Sequence, residues 1–254
     1  MLHLLRRHPI PVRAFFDFTL ALTFALPAKE LRRLLHPGLS LDQWGDFGFI
    51  AVAMVQTRGM RPEFLPAALG GSFFLTGYRI FVRYRTAEGR TLRGLQVLRS
   101  DTDKPAMVAL GNTFTHYHYS LARVCLARTD AELAVELKTP RGEADLRVKA
   151  KLDEPSPSLP PGSLFPDLRT ARRFAGPMPF TFSYEPETRS LVRIEGQRKE
   201  WHPRLVPVNV ERATFFQTRG LGEAPSPASA FLVENVPYRW ARGIVEPLGF
   251  GGVA

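Results

Sequence analysis

From Val12 to Leu26 every even position is apolar: Val12, Ala14, Phe16, Phe18, Leu20, Leu22, Phe24 and Leu26. The odd positions include Arg13, Asp17, Thr19 and Thr23. Side chains alternate between the faces of a strand, so this period of two predicts a long strand with one apolar face. Pro27 ends it. Ala28 to His36 then reads as a short helix, with Leu31, Leu34 and Leu35 on one side and Gly38 just past its end. Gly48 to Thr57 is apolar throughout, which predicts a strand buried on both faces. Pro62 and Pro66 mark a loop. Tyr78, Ile80, Val82 and Tyr84 alternate with Arg79, Arg83 and Arg85 in a third strand. Glu88-Gly89 is a turn, and Thr91 to Ser100 returns as the hairpin partner.

The second half has the same grain. Leu133 to Lys138 and Ala144 to Leu152 make a hairpin around Pro140-Arg141-Gly142. Residues 154–162 hold four prolines and read as a rigid connection within one domain. Phe165 to Phe174 is a short helix. Strands are expected at Phe180–Tyr184, Ser190–Arg198, Val206–Thr218 and Phe231–Val236. Many antiparallel strands with few short helices predict a mainly β (α+β) protein: a barrel-like antiparallel sheet forming one domain over 1–254.

The composition is that of a globular protein, at 44% hydrophobic residues over 254 positions. The formal net charge is +10, carried by 28 arginines against 6 lysines. These arginines are scattered rather than clustered, and no nucleic-acid motif accompanies them, so a solvated basic surface is expected and nucleic acid is not. Arg6, Arg7 and His8 precede an apolar stretch, as in an export signal. Pro9, Pro11, Asp17 and the period of two argue against one, so the expectation is a cytoplasmic protein without membrane association. A homo-oligomer is compatible with the sequence. Cys125 is the single cysteine and excludes an internal disulfide. Among Val124, Leu126 and Ala127 it reads as an inert buried thiol.

Candidate chemistry concentrates in residues 94–119. There an apolar strand runs into Arg99-Ser100-Asp101-Thr102-Asp103, followed by Thr115-His116-Tyr117-His118-Tyr119. If the strand continues, Arg99, Asp101 and Asp103 share a face, combining a cation for a carboxylate with a carboxylate for a proton. The same pattern also fits an ion pair that fixes the strand end. His116 and His118 would share a face of a strand. A metal there would need a third ligand from Asp101, Asp103 or His202, and packing explains the run as well, so no metal is assigned. Asp101 and His116 are thus candidate catalytic residues. Arg99, Asp103, Tyr78, Arg79, His118 and Arg239 are candidate ligand-binding residues, with Trp240 as a possible wall. No phosphate-binding glycine loop, dinucleotide fingerprint or Gly-x-Ser-x-Gly is present, and no cofactor is expected.

Several motifs in order resemble a bacterial family known as domain of unknown function 2071. They are Leu75-Thr76-Gly77-Tyr78-Arg79, Arg99-Ser100-Asp101-Thr102-Asp103, Thr115-His116-Tyr117 and Asn235-Val236-Pro237-Tyr238-Arg239-Trp240. The run from Pro11-Val12-Arg13 to Pro37-Gly38-Leu39 agrees as well. The resemblance covers roughly residues 10–245 and implies an acetoacetate decarboxylase-like fold. That fold is a curved, barrel-like antiparallel body around a small-molecule pocket. The decarboxylases carry a Gly-aromatic-Pro-Lys signature whose lysine forms a Schiff base with the substrate. Here the comparable stretch, Arg90 to Leu98, has neither proline nor lysine, and the nearest lysine is Lys104. The expectation is a small-molecule-binding protein for an anionic or carbonyl-bearing ligand, lacking the Schiff-base lysine. The alternative is a non-catalytic module that kept the barrel and lost the chemistry.

Overall fold

The computed structural model describes residues 2–154, 158–174 and 178–248. Residues 155–157 of the proline-rich stretch therefore lie outside the described residues. The strands are β1 (Val12–Pro27), β2 (Leu39–Leu41), β3 (Phe47–Pro62), β4 (Gly71–Arg85), β5 (Thr91–Thr102), β6 (Tyr119–Leu121), β7 (Arg123–Arg128) and β8 (Glu132–Lys138). They continue as β9 (Leu146–Lys151), β10 (Phe180–Glu185), β11 (Ser190–Gln197), β12 (Arg204–Leu205), β13 (Val208–Ala213), β14 (Ser229–Trp240) and β15 (Ile244–Pro247). The helices are α1 (Leu2–Leu5), α2 (Ala28–Arg32), α3 (Pro105–Phe114), α4 (Leu168–Arg172) and α5 (Phe215–Thr218). Strand makes up about 51% and helix 12%, so the fold is mainly β with short helices.

Seven strands close into a ring in the order β1-β3-β4-β5-β10-β11-β14 and back to β1. The sheet is mixed rather than wholly antiparallel, because β10 runs parallel to β5 from Phe180↔Gly94 to Phe182↔Gln96. The seam between β11 and β14 is short, with Gly196↔Trp240 and Gln197↔Arg239 as its partners. A second, four-stranded antiparallel sheet, β13-β9-β8-β7, covers one side of the ring. Between the sheets lies the largest core, where Leu20, Leu22, Phe24, Ile50, Val52 and Tyr78 meet Leu133, Val135, Leu146 and Val148. The ring strands are thus apolar on both faces. This accounts for the unbroken apolar run of β3.

The even-position stripe of β1 does not stay on one face. Ala14 and Phe16 belong to the cluster inside the ring, whereas Phe18 to Leu26 belong to the core between the sheets. The pairing with β3 slips between Phe16 and Phe18. An irregularity of one residue reverses the alternation. Asp17 at the slip reaches solvent and pairs with Arg58 at 2.9 Å.

One helix goes beyond the expected elements, and two expectations fail locally. Residues 105–114 form α3, with Pro105 in the first turn, where its missing N–H costs nothing. Cys125 is exposed rather than buried, because it lies on β7, an edge strand with an outward-facing side. The expected strand Val206–Thr218 is divided. After β13, the chain turns into α5, which sends Phe215 and Phe216 into the core between the sheets.

Candidate functional site: an apolar chamber in the ring

The ring encloses a cavity of about 700 Å³. It exists because the inner positions of β1 and β3 carry the small residues Ala21, Ala51 and Ala53, next to Gly77 of β4. One end is plugged by Phe49, Phe81, Phe165, Phe174 and Phe231. Toward the other end stand Phe16, Tyr238 and Trp240, with ring centroids 4.6 to 5.8 Å apart. Helix α3 and the loop after β3 flank the opening through Met107, Leu110, Leu65 and Leu69.

Against this apolar lining stands Arg79, on the inner face of β4. Its guanidinium folds back along the strand over Gly77. It has no hydrogen bond or ion pair among the described residues. Its charge acts on the buried phenols of Tyr117, Tyr119 and Tyr238. Burial raises all three; Tyr119 reaches about 12, with the positive charge of Arg79 opposing the rise. Three further polar side chains line the chamber with unpaired buried atoms: His8 Nδ1, Thr19 Oγ1 and Thr57 Oγ1. Burial lowers the pKa of His8, against a weaker upward pull from the Ala241 backbone, so its imidazole is held neutral. Among the described residues no aspartate or glutamate lines the cavity.

Of the residues singled out from sequence, Arg79 and the wall candidate Trp240 line the chamber, and Tyr78, Arg99, Asp101, Asp103, His116, His118 and Arg239 do not. The reason lies in β5. Tyr78 pairs with Arg99, but Arg79 pairs with Val97, so Leu98 is an extra residue in the ladder. Leu95 and Val97 point into the chamber, whereas Leu98 already packs in the core between the sheets. Arg99 and Asp101 therefore face away from the chamber with Tyr78. There Arg99 Nε donates to both oxygens of Asp101 at 2.9 Å, and Nη2 donates to Glu143 at 3.0 Å. Burial raises the pKa of Asp101, with the bonds from Arg99 opposing it. Tyr78 is fully buried, stacks on Phe215 at 4.1 Å and donates its hydroxyl to the Ala144 carbonyl at 3.2 Å. The group ties the ring to the second sheet.

The remaining candidates are dispersed. Asp103 lies beyond the end of β5 and accepts from the Phe74 amide at 2.8 Å. Arg239 donates to Glu63 at 2.9 Å and to Gln197 at 2.8 Å, while its neighbour Trp240 lines the chamber. His116 and His118 do not share a strand face, because the chain bends between α3 and β6, with His118 at φ 54°. His116 Nε2 stands 4.0 Å from the buried Glu185 carboxylate, which is held by Arg7 and Thr188. His118 is exposed. Among the described residues no group of three or more His, Cys, Asp or Glu side chains is placed to hold a metal ion.

Sequence reasoning missed His8, Thr19, Thr57 and Tyr238. The last three sit on strands at inward positions, and a signal existed in the small residues beside them. His8 carried none, because only the fold brings the N-terminal segment back to the ring: its amide donates to the Phe114 carbonyl at 3.0 Å. Lys104 is the one lysine that lines the cavity. It stands at the opening with its side chain 55% exposed, 3.6 Å from Asp103.

A family model described as an uncharacterised conserved protein, domain of unknown function 2071, matches residues 16–237. The chain belongs to the DUF2071 family. No curated protein sequence matches it. This DUF2071 protein is similar in structure to acetoacetate decarboxylase from Legionella pneumophila, at 15% identity and a TM-score of 0.62, over 93% of this chain and 87% of that one. It is similar to the enduracididine biosynthesis enzyme MppR, seen with the condensation product of pyruvate and imidazole 4-carboxaldehyde, at 13% identity and a TM-score of 0.62, over 93% and 89%. It is also similar to an acetoacetate decarboxylase-like enzyme from Sphingomonas wittichii RW1, at 14% identity and a TM-score of 0.53, over 94% and 91%. The DUF2071 chain thus has the acetoacetate decarboxylase-like fold.

Proposed function

We infer that this DUF2071 protein binds a small carboxylate with an apolar body inside the ring. The observation that carries this is Arg79, a guanidinium without a carboxylate partner among the described residues, on the inner face of β4 in a largely apolar chamber whose other cations, Arg61 and Lys104, stand at its opening. A guanidinium half-withdrawn from water between apolar walls favours an anionic partner, and a ligand carboxylate supplies one with planar, two-bonded geometry. The aliphatic and aromatic walls accept the rest of the ligand. His8, neutral and with a free ring nitrogen, offers a hydrogen bond to a carbonyl oxygen of the ligand. The likeness to MppR, whose structure holds a pyruvate condensation product, supports a ligand of that size.

Binding without Schiff-base chemistry is the reading the lysines support. Lys104, the lysine on the lining, stands largely solvated at the opening beside Asp103. The paired carboxylate Asp101, offered by the sequence as a proton carrier, faces the other compartment. The protein therefore acts as a holder of its ligand.

Calorimetry with hexanoate and 1-hexanol, which differ in charge and share an apolar tail, tests this. The wild type should prefer hexanoate by tenfold or more, and Arg79→Met should abolish the preference while keeping the fold by circular dichroism. Equal affinities in the wild type would refute the reading.

A further inference from the structure

The three most exposed large apolar side chains of the described chain are Phe64 at 72%, Leu69 at 66% and Leu110 at 56%. All three gather at the opening of the chamber. Leu69 and Leu110 line it, and Phe64 precedes Leu65, which also lines it. They project from separate elements, the loop after β3, the turn of 3₁₀ helix Ala67–Leu69, and α3. Exposed apolar groups scattered singly are ordinary; a cluster around the entrance of an apolar cavity marks a docking surface.

The charges around the same opening are mainly positive. Arg61 lines it and bonds only backbone, to the Leu65 and Gly59 carbonyls at 3.1 and 2.9 Å. Lys104 faces Asp103, and Glu63 is shared by Arg13 and Arg239. Apolar tips within a cationic rim, on a chain of net charge +10, are complementary to one kind of surface.

We propose that the opening of the ring docks on an anionic lipid bilayer, with Phe64, Leu69 and Leu110 entering the interface and Arg61 and Lys104 over the headgroups. The chamber then exchanges its ligand with the bilayer, where an amphiphilic carboxylate is concentrated; this second clause rests on the reading of the chamber given above. Docking of this kind needs no spanning helix, and no helix among the described residues is long and apolar enough to span. A second copy of the chain fits less well. A two-fold contact through the opening would bring the same cations of both copies together.

Vesicle flotation tests the docking. Wild-type protein is mixed with vesicles of phosphatidylcholine alone, or with about one-third phosphatidylglycerol, at low and high salt. Expected is co-flotation with the phosphatidylglycerol vesicles, at least tenfold weaker with phosphatidylcholine alone and weakened by salt. The triple variant Phe64→Ser/Leu69→Ser/Leu110→Ser should lose tenfold or more in vesicle binding, and Phe64→Ser alone, at a position outside the lining, should weaken vesicle binding about threefold with its hexanoate affinity in solution unchanged. Arg61→Gln/Lys104→Gln should reduce the preference for phosphatidylglycerol. Absence of co-flotation, or equal co-flotation of the triple variant, overturns the proposal. So does a wild-type dimer in light scattering that the triple variant converts to monomer, which would assign the face to a second copy. Loss of the hexanoate preference in Arg79→Met together with intact vesicle binding separates the two readings. If wild-type protein floats but binds no hexanoate, docking stands and the ligand reading fails.

Discussion

The guanidinium of Arg79 rests directly over Gly77, so close that a Cβ at Gly77 would stand 2.8 Å from Nη2 and 3.0 Å from Cζ. Residues two apart share a strand face, and the glycine opens the space into which the arginine folds. Gly77→Ala should therefore displace the guanidinium by a few tenths of an ångström without unfolding the ring. Hexanoate affinity is expected to fall by about tenfold, about 1.4 kcal/mol, while thermal stability moves by less than about 3 °C. Unchanged affinity would show that the observed placement of Arg79 is not the one that binds.

Asp101→Asn should act on stability and not on the ligand. It removes the charge from a buried pair and leaves Arg99 with Glu143 alone. Breaking a buried pair by one partner costs about 3 kcal/mol. Denaturant titration should show a loss of that order, and hexanoate titration of the folded variant should match wild type. A weakened hexanoate affinity with full stability would place Asp101 in the site after all.

Stability should decline on mild acidification. His36 is pushed down to about 4, first by burial and then by the neighbouring His118 and His116 charges. His8 and His116 are also pushed down, chiefly by burial. In the unfolded chain these groups take up protons near pH 6.5, whereas in the fold they stay neutral until the pH is well below that. Their contribution is therefore complete above pH 6.5 and is lost as the pH falls below it, for His36 toward about 4, at up to about 1.4 kcal/mol per pH unit for each group. Urea titrations across this range should show the slope, and His36→Gln should reduce it by close to one proton. A flat profile in wild type would contradict the neutral imidazoles.

Borohydride reduction in the presence of acetoacetate should leave no adduct on Lys104. The amine stands in solvent beside Asp103, outside the chamber where a carboxylate held by Arg79 would place its ketone. Mass spectrometry of the tryptic peptide reads the result. An adduct that vanishes in Lys104→Ala would restore a Schiff-base mechanism.

Period-two patterns made the strands legible: β1, β4, β5, β8 and β9 lie where alternation placed them. The family resemblance carried the ring architecture, which alternation alone does not contain. What the pattern could not carry is the parity of a strand after an irregularity. Arg99 and Asp101 share odd parity with Leu95 and Val97, yet the extra residue at Leu98 sends them to the opposite side. Asp17 hides a similar reversal in β1. Arg79 was legible as a candidate, but its isolation from carboxylates was not, since partners come from distant segments. His8 was illegible for the same reason. The helix at Pro105–Phe114 was obscured by its Gly111 and by the histidine and tyrosine run that follows it.

The extra residue at Leu98 also separates two kinds of evolutionary freedom. The ionic joint ties the two sheets together, and the chamber is the proposed ligand site; one strand serves both, and the switch keeps their requirements apart. Mutations in the lining can retune ligand preference without loosening the joint. Deleting Leu98 would instead turn the end of β5 inside out, carrying the carboxylate of Asp101 toward the guanidinium of Arg79. The chamber's cation would then be neutralised from within, and the protein would have exchanged an external ligand for an internal one.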